Sequence, residues 1–268
     1  MKTIFMTGTS TGLGKAAVKL FADKGWKVIA TMRNPQNADE VFEHENITVL
    51  PLDVTNLEQI ESTVKDAISL DDIDVVFNNA GYGLAGPFEG ATDEQIQTNI
   101  TTNLLGVMRV TKAFLPHFRE KKSGLYITTT SIGGSITLPF NSVYHATKFG
   151  LEGWSESLNY ELSKFGIKIK TVAPGGIATD FAGRSLDLSQ HEAYKDLMDK
   201  VVSVFMDPER AKQYSSAEQI AEVVYEAATD GKNQIKYLAG EDAKEMYARK
   251  NDIGTKDFIE EIDSSFFG

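Results

Sequence analysis

Close to its first residue the chain runs Thr7-Gly8-Thr9-Ser10-Thr11-Gly12-Leu13-Gly14, between an apolar stretch, Ile4-Phe5-Met6, and a helical pattern beginning at Ala16-Ala17-Val18. A glycine-rich turn joining a buried strand to a helix restricts the chain to α/β architectures. It is also a ready place for a phosphate group. Unpaired N–H groups point out of the helix end, and the macrodipole adds about half a positive charge there. Glycine lets the backbone turn sharply and lets a phosphate come close. The same residues carry a rival reading: Gly8-x-Ser10-x-Gly12 matches the nucleophile elbow of hydrolases, with Ser10 as an acyl-transfer nucleophile. The rest of the chain decides between the two.

Short β-branched runs alternate with amphipathic helical stretches. Strands are expected at Thr3–Thr7, Lys27–Thr31, Thr48–Pro51, Ile73–Asn78, Gly124–Thr130, Ile167–Ala173 and Gln234–Ala239. Apolar strands alternating with helices imply a doubly wound parallel sheet of about seven strands with helices on both faces. No low-complexity linker or internal repeat divides residues 1–268, so one domain is expected. Ligands of such a sheet bind outside the carboxyl ends of its strands. The chemically informative residues fall there: Arg33 after the second strand, Asp53 after the third, Asn78-Asn79-Ala80-Gly81 after the fourth, Ser131 after the fifth and Pro174-Gly175 after the sixth.

Composition removes several function classes. The net charge of −11 disfavours binding to nucleic acid or an anionic membrane. The chain has no cysteine, which excludes disulfides, thiolate catalysis and thiolate metal sites. Its four histidines, His44, His117, His145 and His191, form no i, i+4 pair, so no metal site is expected. No apolar run is long enough to span a membrane. The first residues enter a strand directly, without a signal-peptide layout, and the cytoplasm is the expected location.

Tyr144 and Lys148 stand at i and i+4, on one helix face. A free phenol near pKa 10 is a poor acid–base group at neutral pH, and a neighbouring ammonium favours the phenolate. Tyr160 and Lys164 repeat the spacing roughly 24 Å further along the same helix, as a solvated pair. Ser131 distinguishes the first pair, because a hydroxyl at the preceding strand end can return to the helix face beside the phenol. The elbow reading of Ser10 lacks an earlier strand–helix loop to complete an oxyanion hole, since so little chain precedes Gly8.

Together, Thr7-Gly8-x-x-x-Gly12-x-Gly14, Asp53-Val54, Asn78-Asn79-Ala80-Gly81, Asn103, Ser131, Tyr144-x-x-x-Lys148 and Pro174-Gly175-x-x-x-Thr179 resemble the short-chain dehydrogenase/reductase family. The resemblance implies a Rossmann-like fold and hydride transfer between NADP(H) or NAD(H) and a carbonyl or alcohol, without a metal. It implies Tyr144 as general acid or base and Lys148 as the residue that lowers its pKa and holds the nicotinamide ribose. Ser131 then orients the substrate oxygen, and Asn103 holds a water of the proton relay. For the cofactor it implies Gly8, Ser10, Gly12, Leu13 and Gly14 at the phosphates and Asp53 at the adenine. Asn79, Ala80 and Gly81 lie along the ring, with Pro174, Gly175, Ile177 and Thr179 at the nicotinamide.

Met32 occupies the position where an acid selects NAD, and Arg33 follows it, able to pair bidentately with a 2′-phosphate. NADP(H) is therefore expected, with Thr9 and Ser10 as further donors. Ala30-Thr31-Met32-Arg33 and Leu138-Pro139-Phe140-Asn141 resemble the hydroxysteroid and retinol dehydrogenase subgroup, which implies an apolar substrate. Residues 180–208 read as a helical excursion closing over that substrate. The family also implies a homodimer or homotetramer through the helices that contain Asn103 and Tyr144. A non-catalytic NADP-binding regulatory protein on the same fold is the alternative, and its mark would be loss of Ser131, Tyr144 or Lys148.

Overall fold

The computed structural model describes residues 1–178 and 185–268. Nine strands are present among the described residues: β1 (Thr3–Met6), β2 (Lys27–Met32), β3 (Ile47–Pro51), β4 (Val75–Asn78), β5 (Gly83–Ala85), β6 (Gly124–Thr129), β7 (Ile167–Pro174), β8 (Leu186–Leu188) and β9 (Lys236–Ala239). The seven expected strands form one parallel sheet in the order β3-β2-β1-β4-β6-β7-β9. In this sheet β1 pairs with both β2 and β4, Ile4 lying opposite Val28 on one side and Val75 on the other. The winding reverses between β1 and β4, so the crevice of the sheet opens where the Gly8–Gly14 turn and the Asn79–Gly81 turn leave it.

Helices cover both faces: α1 (Gly12–Asp23), α2 (Leu57–Leu70), α3 (Asp93–Ile100), α4 (Gly106–Lys121), α5 (Ser142–Leu162), α6 (Lys195–Phe205), α7 (Ala217–Thr229) and α8 (Glu241–Phe267), the last broken at Gly254. Strand alternation divides the core in two. Ile4 and Met6 face Phe21 of α1 and Val224 of α7. Phe5 faces the other way, against Val64 of α2 and Phe114 of α4, its ring 4.8 Å from that of Phe114. A third cluster, Ile132, Ile136, Ala243 and Phe258, fastens α8 beside the segment that follows β6. No helix among the described residues is long and apolar enough to cross a membrane.

Two features depart from the sequence reading. The helix expected around Asn103 is interrupted by a π-helical turn, Thr101–Leu105, between α3 and α4. Such wider turns recur at functional sites, and this one carries Asn103. The excursion after β7 is also tied down. β8 pairs in parallel with β5, Ser189 Oγ donates to the Pro87 carbonyl (2.9 Å), and the Tyr194 hydroxyl donates to Glu89 (3.0 Å). Strands of three residues carry too little pattern to be read from sequence. Thr179 and residues 180–184 of the expected lid lie outside the described residues.

Candidate active site

The first turn is shaped by what lies beneath it. Gly8 has φ +67°, and a Cβ there would sit 2.6 Å from Ala80 Cα. At Gly14 a Cβ would sit 2.2 Å from the Gly8 carbonyl oxygen. These glycines therefore press the β1 turn against the β4 turn, and Gly12, with φ +54°, reverses the chain into α1. Thr11, the N-cap of α1, makes no side-chain cap, so the first N–H groups of the helix face outward for an anion. Ser10 is exposed beside them. Leu13 contributes only backbone there, because its side chain belongs to the core.

Thr9 does not serve as expected. It is buried, and its hydroxyl donates to the Thr31 carbonyl (3.0 Å), tying the turn to β2. Met32 is buried in the core, whereas Arg33 is exposed and meets no carboxylate among the described residues. Asp53 is half-buried, with Oδ1 accepting from the Thr55 N–H (2.9 Å) and hydroxyl (2.7 Å). That leaves Oδ2 for an adenine amine. Open helix N–H groups, a positive-φ glycine turn and an exposed arginine fit a dinucleotide phosphate.

Asn79 stitches three strand ends together. Its Nδ2 donates to the Gly8 carbonyl (2.9 Å), its Oδ1 accepts from the Thr129 hydroxyl (3.1 Å), and its N–H donates to Thr7 Oγ1 (3.0 Å). Ala80 N–H shares that same hydroxyl (3.1 Å). Gly81 follows at the centre of the site: a Cβ there would lie 3.0 Å from Asn103 Oδ1 and 3.8 Å from Lys148 Nζ. Asn103 spends its side chain on the next residue, accepting from Tyr82 N–H (3.0 Å) and donating to the Tyr82 carbonyl (2.8 Å). Asn99 donates to the same carbonyl (3.1 Å).

Ser131 leaves β6 in extended backbone, its Oγ accepting from Gly133 N–H (3.0 Å) and lying near enough to the Tyr144 phenol to favour its ionised form. Lys148 Nζ lies 5.6 Å from the Tyr144 ring and donates to the Thr129 carbonyl (2.9 Å). Ser131, Tyr144, Lys148, Asn103 and Gly81 are thus brought together; Tyr160 stands exposed at the far end of α5.

The electrostatics correct one expectation. Burial pushes the Tyr144 phenol above its ordinary pKa, with the Ser131 hydrogen bond pulling the other way. The phenol is therefore an acid at neutral pH. Desolvation is the larger of the two effects. Burial pulls Lys148 itself down to about 8, and the Glu152 carboxylate one turn along α5 opposes this. The buried Lys170 makes the contrast plain. Its Nζ donates to the Ala227 carbonyl (2.9 Å), Asp230 (2.7 Å) and the Tyr237 hydroxyl (2.8 Å), filling its three donor positions. Lys148 has one protein acceptor among the described residues, so two donors remain for a ligand.

Three supporting residues were not read from the sequence. His145 is buried and neutral: Nδ1 donates to the Gly133 carbonyl (2.7 Å) and Nε2 accepts from Leu138 N–H (3.0 Å). It pins residues 131–138 to α5, and burial holds its pKa below the usual value. Phe140 has φ +58°, uncommon for an aromatic residue, and its carbonyl accepts from Gly86 N–H (2.7 Å). Asp242 of α8 is buried, and its Oδ2 accepts from Gly176 N–H (2.7 Å). Pro174 ends β7, Gly175 N–H donates to the Ala239 carbonyl (3.0 Å), and Ile177 bridges to Ser215, so C-terminal segments hold this whole turn.

Comparison with known proteins places the chain by sequence and fold. Residues 2–188 match the family model for short chain dehydrogenase. The chain is 36% identical over 237 residues to an uncharacterised oxidoreductase of Schizosaccharomyces pombe, covering 85% of this chain and 96% of that protein. It is 34% identical over 216 residues to retinol dehydrogenase 8 of Bos taurus, covering 77% of this chain and 69% of that one. A short-chain dehydrogenase from Streptomyces avermitilis superposes with a TM-score of 0.85 at 29% identity, over 94% of this chain and 92% of that chain. The family model and the superposition agree, and the chain belongs to the short-chain dehydrogenase family.

Proposed function

We propose that the protein is an NADP(H)-dependent oxidoreductase acting on an apolar carbonyl or secondary alcohol. The observation that carries this is the convergence on Gly81 of Lys148 and Asn103, with the Tyr144 ring 5.6 Å from the Lys148 ammonium beside them. The open N–H groups of α1 and Ser10 hold the phosphates, and Arg33 pairs with the 2′-phosphate. Asp53 Oδ2 takes the adenine, and Pro174, Gly175 and Ile177 line the nicotinamide. When bound, the nicotinamide supplies hydride to the substrate carbon or takes it away. Ser131 orients the substrate oxygen. Tyr144, protonated at neutral pH, gives its proton to that oxygen in reduction and recovers one in alcohol oxidation. Lys148 holds the ribose hydroxyls and stabilises negative charge on the phenol oxygen. Asn103, by fixing the Tyr82 backbone, braces the path by which a water returns the proton.

Residues 185–208, clamped on the β5 segment, form one wall of the substrate cleft. Phe140, packed edge-on against Tyr194, stands between this wall and α5. The retinol dehydrogenase relative supports an apolar substrate. A second copy covers the outer face of α5 and the adjoining π turn, where Phe149 and Leu105 are exposed and Gly153 leaves open space. Sedimentation is expected to give a dimer or tetramer, and cell fractionation to find the protein in the cytoplasm. The test of function is absorbance-monitored turnover of steroids, retinoids, aliphatic aldehydes and quinones with NADPH and with NADH. NADPH gives the higher kcat/KM, and Arg33→Ala weakens its binding by roughly 1.5–3 kcal/mol. Equal use of both cofactors would overturn the NADP(H) assignment.

A further inference from the structure

Behind the Tyr144–Lys148 pair, on the same face of α5 and one turn further along, Glu152 is buried against the sheet at 4% exposure. Its carboxylate is held from three strands. Thr130, just beyond β6, donates its hydroxyl to Oε1 (2.5 Å), and Thr171 of β7 donates to Oε2 (3.2 Å). Lys236 of β9 brings Nζ to 3.4 Å from Oε2. Gly134 closes over the top, where a Cβ would lie 3.0 Å from Glu152 Cγ and 2.8 Å from the Lys148 carbonyl. Lys236 is only partly buried and also donates to Ser135 Oγ (3.0 Å), so one end of this cluster reaches the surface. The Lys148 ammonium and the Glu152 carboxylate thus follow one another on α5, and the Lys236 ammonium of β9 lies beyond them.

A buried cation needs a compensating charge or it gives up its proton. Among the described residues Lys148 has no carboxylate in contact, and its acceptor is the Thr129 carbonyl. The ionisable groups facing it are Tyr144 and Glu152 on α5, with Lys236 on β9 behind Glu152. His145 and Lys250, whose Nζ donates to the Ser135 carbonyl (2.6 Å), lie on the other side of the Ile132–Gly134 turn. We propose that Glu152 is a positioning residue for Lys148: its carboxylate, fixed by Thr130 and Thr171, is the counter-charge of the Lys148 ammonium, and Lys236 sets how much of it Lys148 receives. This deepens the function proposed above, in which Lys148 must be a cation to hold the ribose. The design differs from the Lys170–Asp230 pair, where direct contact locks the lysine to its acid. At one turn's distance, Glu152 supports the charge and leaves the Lys148 donors available.

The test is direct titration of Lys148 by its 13Cε resonance in labelled protein, assigned with Lys148→Met, with no ligand present. The parent midpoint is expected at about 8. Glu152→Gln lowers it by about one unit, the effect of one partly screened charge at a helical turn's distance. Lys236→Met, which strips the competing cation, raises it. A midpoint unchanged in folded Glu152→Gln protein, even with a lowered Tm, means that Glu152 is structural and overturns the proposal. If Glu152→Gln does not fold, the Lys236→Met arm decides, and no upward movement overturns it. NADPH affinity against pH is measured on the same proteins. An affinity limb that follows the lysine midpoint supports both readings. If the midpoint moves and affinity does not, the ribose-holding role of Lys148 fails while the counter-charge stands.

Discussion

The same tyrosine–lysine spacing occurs near the start of helix α5 and again at its end, where Lys164 lies in the 3-10 turn that follows Leu162, and the two places give it opposite meanings. Tyr160 is 76% exposed and Lys164 stands in solvent. Tyr144 is half-buried against Ser131, and Lys148 is 5% exposed beneath the Asn79–Gly81 turn. An i, i+4 pair is a property of the helix; a proton donor is a property of what the sheet brings to that helix. The first pair meets the carboxyl ends of β4 and β6, and the second runs past the opposite end of the sheet, where Ile167 begins β7. Spacing nominates residues, and burial against strand ends selects among them.

The comparison can be broken by parallel substitution. Tyr144→Phe is expected to lower kcat by about 10²–10⁴-fold, the usual contribution of a positioned acid, with NADPH affinity retained; Tyr160→Phe leaves both within twofold, roughly. Equal effects at the two sites, measured by steady-state turnover, would erase the distinction. Lys148→Met is expected to weaken NADPH binding by about tenfold or more, the value of a charged hydrogen bond. Lys164→Met leaves fluorescence-titrated affinity unchanged. Asp242→Asn tests the support of the Gly175–Gly176 turn from α8. Cofactor affinity should drop by roughly threefold to tenfold, as for one hydrogen bond, while kcat at saturating NADPH changes less. A kcat loss without any affinity change would speak against that support.

The smallest effect concerns His145, within the first pair and without a counterpart in the second. Its pKa is below 6.5 in the folded chain because the neutral ring is buried. The unfolded chain therefore takes up a proton near pH 6.5 while the folded chain does not. Stability from this residue is present above that pH and lost as pH falls below it. Thermal unfolding from pH 7.5 to 5.5 should show a Tm decline that is shallower in His145→Gln. Equal slopes would place the acid sensitivity elsewhere.

Much of this was legible in the sequence. The seven sheet strands follow from β-branched runs, and the residues after their carboxyl ends are those that gather at the crevice. Ser131 and Tyr144 meet as spacing suggested. What the sequence concealed depends on burial and on distant chain. Thr9 reads as a donor in an exposed turn, yet its hydroxyl is spent on Thr31 beneath it. Asn103 reads as one polar residue in a helix; the π turn makes it a partner of Asn99 on the Tyr82 backbone. Asp242 reaches Gly176 across 66 residues, a contact no local pattern encodes. The pKa of Tyr144 moves up because desolvation is a property of the packed molecule.

The central claim is that Tyr144 and a bound NADPH reduce a carbonyl directly. The most direct measurement uses NADPH bearing deuterium at the transferable C4 position, an apolar carbonyl substrate and mass spectrometry of the product, for the parent protein and Tyr144→Phe. The account predicts deuterium on the new alcohol carbon with the parent and little product with the variant. Product without the label, or equal labelled product from Tyr144→Phe, would contradict it.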